Sequence, residues 1–119
     1  MKRCAFLTMD SLDNFCSYDA DLLEPLAGLD WQAESVSWKR GDTDWNRFDL
    51  VIIRSTWDYQ HFPQDFLKTL QEIDRSKARL ENSLELVEWN MNKSYLRDLE
   101  SRGVNIVPSA FPEECSLEL

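Results

Sequence analysis

The chain has 119 residues, a formal net charge of −9 and 43% hydrophobic residues. A chain of this length is the size of one small domain, and a multi-domain enzyme does not fit within it. The acidic surplus argues against general binding to nucleic acid or anionic membranes, and no apolar run approaches the roughly 18 residues of a membrane span. We therefore expect a soluble protein that has neither nucleic acid nor a membrane as partner.

The N-terminal half is predicted to alternate strands and helices. The apolar run "CAFLT" within Met1–Thr8 favours a first strand, and a polar loop follows it. Leucines then recur at helical spacing, with Asp19 as a candidate N-cap and Pro25 near the first turn. The stretch "WQAESVSW", Trp31–Trp38, alternates loosely between apolar and polar residues, which predicts a second strand.

The stretch "LVIIRS", Leu50–Ser55, gives the strongest strand signal. Its four consecutive large apolar residues are typical of a strand covered on both faces, as in a parallel sheet. Pro63 then fits the first turn of a helix with one apolar face. The residues of that face are Phe66, Leu67, Leu70 and Ile73.

Shorter elements are predicted after this helix. "ARLEN" is a candidate short strand, and Asn82 with Glu85 resembles a capping box that opens a short helix. A longer helix is predicted over Lys93–Arg102 and should end at Gly103, a favourable C-cap residue. "VNIVP" predicts a last strand that Pro108 closes.

This order of elements predicts an α/β fold, a three-layer Rossmann-like domain with a mainly parallel sheet of about four or five strands. We assign the domain and its linker helix to residues 1–108. Residues 109–119 resemble the opening of another helix, so we expect them to begin a following segment of a longer protein.

The cysteines and the N-terminus favour the cytoplasm. The first ten residues contain too short an apolar run for a secretory signal. The three cysteines are widely spaced and offer neither a disulfide framework nor a metal pair, and His61 is the sole histidine. We assign no metal ligands in this chain.

Polar and aromatic residues follow the apolar strand directly, with no glycine between them. In open α/β sheets ligands bind outside the carboxyl ends of the strands. A guanidinium there can hold a carboxylate or phosphate by paired hydrogen bonds, and hydroxyl groups can add more. The candidate substrate-binding residues are Arg54, Ser55, Thr56, Asp58 and Tyr59. An equally open alternative is an Arg54–Asp58 ion pair that fastens a loop over Trp57.

Lys93 is the second candidate, because it lies at a predicted helix start, with Asn90 or Asn92 as the cap. A helix dipole disfavours a cation at that end, and a bound phosphate would remove the conflict. The alternative is a lysine that extends into water, since the dipole penalty at a surface is only about 0.3–1 kcal/mol.

Three stretches together resemble the N-terminal region of ATP-grasp proteins, in the glutathione-synthetase-like or cycloserine-synthetase-like branch. They are "VIIRSTWDY", "ARLENSLELVEWNMNKSYLRDLESRGVNIVPS" and the first strand with "YDADLLEPL". The most specific part is the pattern "N…WN…K.YL..L...G…VP" from Asn82 to Pro108. It is similar to the linker through which those enzymes enter their ATP-binding lobes.

The resemblance implies an ATP-dependent carboxylate–amine ligase that works through an acyl phosphate, with magnesium neutralising the phosphates. It implies that Lys93 contacts ATP phosphates and that Arg54, with Asp58 and Tyr59, faces a small carboxylate or amine substrate. The family's magnesium ligands and ATP-grasp lobes lie C-terminal to Leu119. We therefore expect this chain to contain no catalytic residue and to be inactive by itself.

Two other functions stay open on the sequence alone. One is a stand-alone regulatory module, flavodoxin-like in architecture, that binds a small anion. The other is an acidic protein-interaction domain in which tryptophans anchor the interface, with a homodimer as one form.

Overall fold

A computed structural model of the chain describes residues 1–111, and it contains a four-stranded, all-parallel sheet. The strands are β1 (Lys2–Thr8), β2 (Trp31–Ser37), β3 (Leu50–Ser55) and β4 (Arg79–Glu81), in the spatial order β2-β1-β3-β4. The helices are α1 (Leu23–Gly28), α2 (Pro63–Arg75), α3 (Leu84–Asn90) and α4 (Tyr95–Ser101). Short 3₁₀ helices cover Asp19–Leu22, Trp45–Arg47 and Tyr59–His61. The predicted α/β fold with a parallel sheet is confirmed.

The chain divides into two compact units, one from Met1 to Leu84 and a second that begins at Glu85. The first unit holds the whole sheet with α1 and α2. The second holds most of α3 and all of α4. No helix within residues 1–111 is long and apolar enough to cross a membrane.

The core of the first unit centres on β1, whose residues Cys4, Ala5, Phe6 and Leu7 are all buried. A continuous buried run is expected for a strand that has neighbours on both sides and helices on both faces. The prediction placed this environment at β3, but Ile52 and Ile53 are only half-buried. The difference arises because β3 is flanked on one side by β4, an edge strand of three residues.

Helix α2 follows the sequence prediction closely. It begins at Pro63, where the missing N–H costs no intrahelical hydrogen bond. Its buried side chains are Phe66, Leu70 and Ile73, so the predicted apolar face is the one that packs on the core.

The second unit differs from the prediction at three points. Helix α3 begins at Leu84, two residues after the proposed cap Asn82, and α4 begins at Tyr95 rather than Lys93. The predicted strand at "VNIVP" is wrong, because residues 104–107 form no strand and Val107 is 80% exposed. An apolar segment gains strand structure only where a neighbouring strand can pair with it.

The predicted end of α4 at Gly103 is confirmed. Gly103 has φ +83°, in the left-handed region that glycine adopts most readily. Its N–H donates to the carbonyl of Glu100, and the N–H of Val104 donates to the carbonyl of Leu99. These two bonds form a Schellman motif, which satisfies carbonyls that the helix end leaves without partners.

Replacing Leu70 tests the core of the first unit. Leu70 is fully buried on α2, so Leu70→Ala should lower the free energy of unfolding by about 2–5 kcal/mol through lost burial and a residual cavity. Urea denaturation followed by circular dichroism measures the change. Leu29→Ala is the matched control, because Leu29 is 73% exposed and its truncation should change stability little. Equal losses for the two variants would contradict this description of the core.

Candidate functional site

The candidate site lies where β1 and β3 end side by side. The chain leaves β1 toward β2 on one side of the sheet and continues to β3 on the other. The connections therefore diverge at the carboxyl ends of β1 and β3, which is the switch point where open α/β sheets bind ligands. Thr8 of β1 lies opposite Ser55 of β3 at this place, after a shift in the strand register between Leu7 and Thr8.

A buried carboxylate organises this edge of the sheet. Asp19, from the 3₁₀ helix before α1, is only 6% exposed. Its Oδ1 accepts a hydrogen bond from Arg54 Nε at 2.8 Å, and its Oδ2 lies 3.3 Å from the Ser55 hydroxyl. Ser55 Oγ also lies 2.7 Å from Thr8 Oγ1. We call Thr8, Asp19, Arg54 and Ser55 the strand-end cluster.

Two sequence expectations about these residues are wrong. Asp19 makes no capping hydrogen bond, because its side chain turns to Arg54 and Ser55 instead. The Arg54–Asp58 ion pair also does not form, since Arg54 pairs with Asp19 across 35 residues of sequence. The segment between β1 and α1 brings Asp19 to the end of β3, where Arg54 lies, and spacing along the chain gave no sign of this contact.

Asp58 has partners of its own from the end of β2. Its Oδ1 accepts from Trp38 Nε1 at 2.8 Å, and its Oδ2 lies 3.0 Å from Lys39 Nζ. Burial raises the pKa of this carboxyl, but the hydrogen bonds from Trp38 and Lys39 and the Lys39 charge outweigh it. The pKa of Asp58 therefore lies below its ordinary value of 3.8, and this carboxylate is engaged in fastening β2 to the β3 loop.

The remaining residues predicted for the substrate site are mostly covered. Thr56 is buried, and its carbonyl accepts from the N–H of Tyr59 at 3.0 Å. The Tyr59 ring packs against Phe66 of α2 with centroids 5.3 Å apart. Trp57 is 39% exposed, and its ring packs against that of Phe15, which is 56% exposed, with ring centroids 5.3 Å apart. Among the five predicted residues, Arg54 offers the most accessible donor groups.

Arg54 combines a fixed position with access to water. Its side chain is 41% exposed, although Nε is bound to a carboxylate that is 8% exposed. Within residues 1–111, Asp19 is the one hydrogen-bond partner of this guanidinium. Its terminal nitrogens are therefore available to an anion outside the strand ends.

Lys93 lies in the second unit, two residues before α4, and is exposed. Its Nζ lies 5.6 Å from the centre of the Tyr95 ring. The predicted cap Asn92 accepts a hydrogen bond from the Ser94 N–H at 2.9 Å, so it forms the turn that leads into the helix. This exposed position leaves the Lys93 ammonium accessible to a ligand.

No metal site is formed by residues 1–111, because no three His, Cys, Asp or Glu side chains come together in a way that could hold an ion. Asp10, which follows β1, accepts a hydrogen bond from the Ser37 hydroxyl. Its carboxylate therefore links the ends of β1 and β2.

The sequence analysis missed five contributors to this edge of the sheet, namely Thr8, Phe15, Asp19, Trp38 and Lys39, of which Asp19 was considered only as a helix cap. A usable signal existed for Thr8 and for the Trp38–Lys39 pair, because each lies at the end of a predicted strand and parallel strands end at one edge. Phe15 carried no such signal, since its loop has no periodic pattern.

The fold and the strand-end cluster define an open, parallel α/β domain with a charged group at the switch point of its sheet. A family model for the N-terminal domain of D-cycloserine synthetase DcsG matches residues 4–82. The chain therefore belongs to this family, and the cycloserine-synthetase-like resemblance in the sequence is confirmed.

Two similar proteins agree with this assignment. The cycloserine biosynthesis protein DcsG of Streptomyces lavendulae is 33% identical over 104 residues, which make up 87% of this chain and 34% of that protein. The crystal structure of D-cycloserine synthetase DcsG matches with a TM-score of 0.76 at 30% identity, over 89% of this chain and 35% of that one. The chain thus spans about a third of the length of these relatives.

The Asp58 ion pair should make stability depend on pH in the acid range. A carboxyl whose folded pKa is depressed stabilises the fold above its unfolded pKa and loses that effect as pH falls through the folded value. Asp58→Asn keeps an acceptor for Trp38 but loses the Lys39 pair, so it should cost about 1 kcal/mol at pH 7. The difference from the unsubstituted protein should shrink as the pH falls below 3.8.

Urea denaturation at pH 7, 5 and 3 measures this difference. Asp42→Asn is the control, because the Arg40–Asp42 pair is much more exposed and should contribute little at any pH. A cost for Asp58→Asn that stays constant down to pH 3 would show that the carboxylate charge does not stabilise this edge.

Proposed function

We propose that this chain is the N-terminal, substrate-side domain of an ATP-grasp-type carboxylate–amine ligase. The observation that carries the proposal is the Arg54 guanidinium, fixed by buried Asp19 at the β1/β3 switch point with its terminal nitrogens accessible. Membership in the DcsG N-terminal domain family supports the assignment. Synthesis of D-cycloserine, which the names of the relatives state, suggests a small amino-acid-like substrate.

The proposed reaction has two steps. A substrate carboxylate oxygen attacks the terminal phosphorus of ATP, which yields an acyl phosphate and releases ADP. An amine nitrogen then attacks the acyl carbon, phosphate leaves with the C–O bonding pair, and the nitrogen gives up a proton. In such chemistry the protein contributes mainly through positioning and electrostatic stabilisation.

Arg54 is proposed to bind and orient a substrate carboxylate through its two terminal nitrogens. Paired hydrogen bonds from a guanidinium match the planar geometry of a carboxylate better than a lysine ammonium does. Trp57 and Phe15 are both partly exposed and form an aromatic surface on the loops that follow β3 and β1. This surface would shield the substrate from water on one side.

Lys93 is proposed to contact the phosphates of ATP, because its ammonium is exposed and its interaction within residues 1–111 is the one with the Tyr95 ring. Magnesium would neutralise the phosphates, but residues 1–111 contain no group of ligands that fits the ion. Further ATP-grasp lobes are therefore proposed as the source of the metal ligands. We also propose a cytoplasmic location, in keeping with the expectation from the cysteines and the N-terminus.

The experiment uses the full polypeptide encoded by the gene that carries this sequence. It is incubated with ATP, magnesium and each of a panel of D- and L-amino acids, with hydroxylamine present as the nucleophile. An acyl phosphate would be trapped as a hydroxamate, which is measured by its iron(III) colour together with the release of ADP. Formation of both products, dependent on one class of amino acid, is the expected result.

Two substitutions test the roles proposed for Arg54 and Lys93. Arg54→Ala should raise KM for the amino acid about ten- to hundredfold, as expected for losing hydrogen bonds to a charged group. Lys93→Ala should raise KM for ATP instead, because it acts on the nucleotide. Arg40→Ala is the matched control, since Arg40 is exposed and pairs with Asp42, which is not part of the strand-end cluster.

Unchanged kinetics for either variant would overturn the role assigned to that residue. If the protein only binds its ligand, neither hydroxamate nor ADP forms. Binding of an amino acid by isothermal titration calorimetry, without any ADP release, would favour the stand-alone binding module. Concentration-dependent self-association that Trp57→Ala abolishes would favour the interaction domain or homodimer.

A further inference from the structure

We propose that Asp19 is a positioning residue that presents the end of the Arg54 guanidinium to a planar carboxylate. The inference rests on the proposed role of Arg54 in binding substrate. In this inference Asp19 sets the orientation of the Arg54 guanidinium. That orientation makes Arg54 bind planar carboxylates in preference to tetrahedral anions.

Both oxygens of the Asp19 carboxylate are committed to β3. Oδ1 accepts from Arg54 Nε at 2.8 Å, and Oδ2 lies 3.3 Å from Ser55 Oγ. Ser55 is itself 1% exposed and is linked to Thr8 at the end of β1. The carboxylate is thus held by consecutive residues of one strand, and it cannot rotate without losing one of these bonds.

This attachment decides which edge of the guanidinium is free. A guanidinium can bind a carboxylate along its side, through Nε and one terminal nitrogen, or at its end, through both terminal nitrogens. Because Nε of Arg54 is already bound to Asp19, the end is the edge that remains for a ligand. Two parallel N–H groups at that end match the two oxygens of a carboxylate.

The difference in exposure supports the same division of roles. The Asp19 side chain is 8% exposed, whereas that of Arg54 is 41% exposed. The carboxylate therefore lies in the protein and the guanidinium reaches the solvent. A carboxylate whose role was to bind a cationic ligand directly would need the opposite arrangement.

Electrostatics alone and a positioning role predict opposite changes in KM for the amino acid when Asp19 is removed. A negative charge close to Arg54 weakens the binding of an anion, so its loss would lower KM if charge were the whole effect. A positioning role predicts that KM rises, because the guanidinium loses its fixed orientation. The sign of the change therefore distinguishes the two.

The test compares Asp19→Asn and Asp19→Ala in the full polypeptide, using the amino acid that gives the highest kcat/KM in the hydroxamate assay. We expect KM for that amino acid to rise about tenfold in Asp19→Ala and less in Asp19→Asn, with KM for ATP unchanged. Asp21→Asn is the control, because Asp21 is exposed in the same 3₁₀ helix. In an Arg54→Ala background, either Asp19 substitution should have no further effect on KM.

A second measurement does not depend on activity. The Nε–H signal of Arg54, observed by nuclear magnetic resonance with labelled arginine, should exchange with water more slowly than that of exposed Arg75. Asp19→Ala should remove this protection. Titration with acetate and with inorganic phosphate should shift the Arg54 signal at lower concentration for acetate, and Asp19→Ala should abolish that difference.

The outcomes separate this inference from the proposed function. If Arg54→Ala raises KM and the Asp19 variants lower it or leave it unchanged, Asp19 does not position Arg54 and the ligase proposal stands. If no amino acid is turned over, the ligase proposal fails and the resonance measurement decides the role of Asp19. The inference would be overturned if Arg54 Nε–H exchanged equally fast with and without Asp19. It would also be overturned if acetate and inorganic phosphate shifted the Arg54 signal at equal concentrations.

Discussion

The pairing of β1 with two parallel neighbours is the constraint on which the rest of the first unit depends. Hydrogen bonds to β2 on one side and β3 on the other place four consecutive β1 residues, Cys4 to Leu7, in the core. A shift in the β1–β3 register after Leu7 sets Thr8 beside Ser55. Because the connections diverge there, the strand ends leave an edge that loops approach from both sides. The positions of Thr8, Arg54 and Ser55 follow from this arrangement, and the segment after β1 brings Asp19 to them.

The Asp19–Arg54 pair shows how the fold accommodates a charge near its core. A buried carboxylate costs free energy unless hydrogen bonds and an opposite charge compensate for its lost hydration. Asp19 accepts hydrogen bonds from Arg54 Nε and the Ser55 hydroxyl, and the Arg54 guanidinium also supplies the opposite charge. Arg54 stays partly hydrated, so the arrangement avoids the cost of burying two ions. The pair therefore fixes a cation at the strand ends while leaving part of it accessible.

The two residues proposed to contact ligands lie in different compact units. Arg54 belongs to the unit that ends at Leu84, and Lys93 belongs to the unit that follows. The family match over residues 4–82 falls within the first unit, although the most specific sequence pattern lies mostly in the second. The family-model match therefore concerns the first unit, and the sequence pattern in the second unit bears on the proposed ATP-grasp function. In the proposed enzyme they would serve the substrate and the nucleotide respectively.

The sequence by itself determined the order of strands and helices in the first unit, the apolar face of α2 and the end of α4 at Gly103. These features depend on local periodicity and on residues with restricted or unusual backbone conformations, such as Pro63 and Gly103. The sequence also indicated a candidate ligand site at the polar end of β3. The strand expected at "VNIVP" failed because an apolar pattern does not supply a pairing partner. Only the tertiary structure decided that Arg54 binds Asp19 and that Asp58 binds Trp38 and Lys39, since these contacts join segments that are distant in sequence and meet through the order of the strands in the sheet.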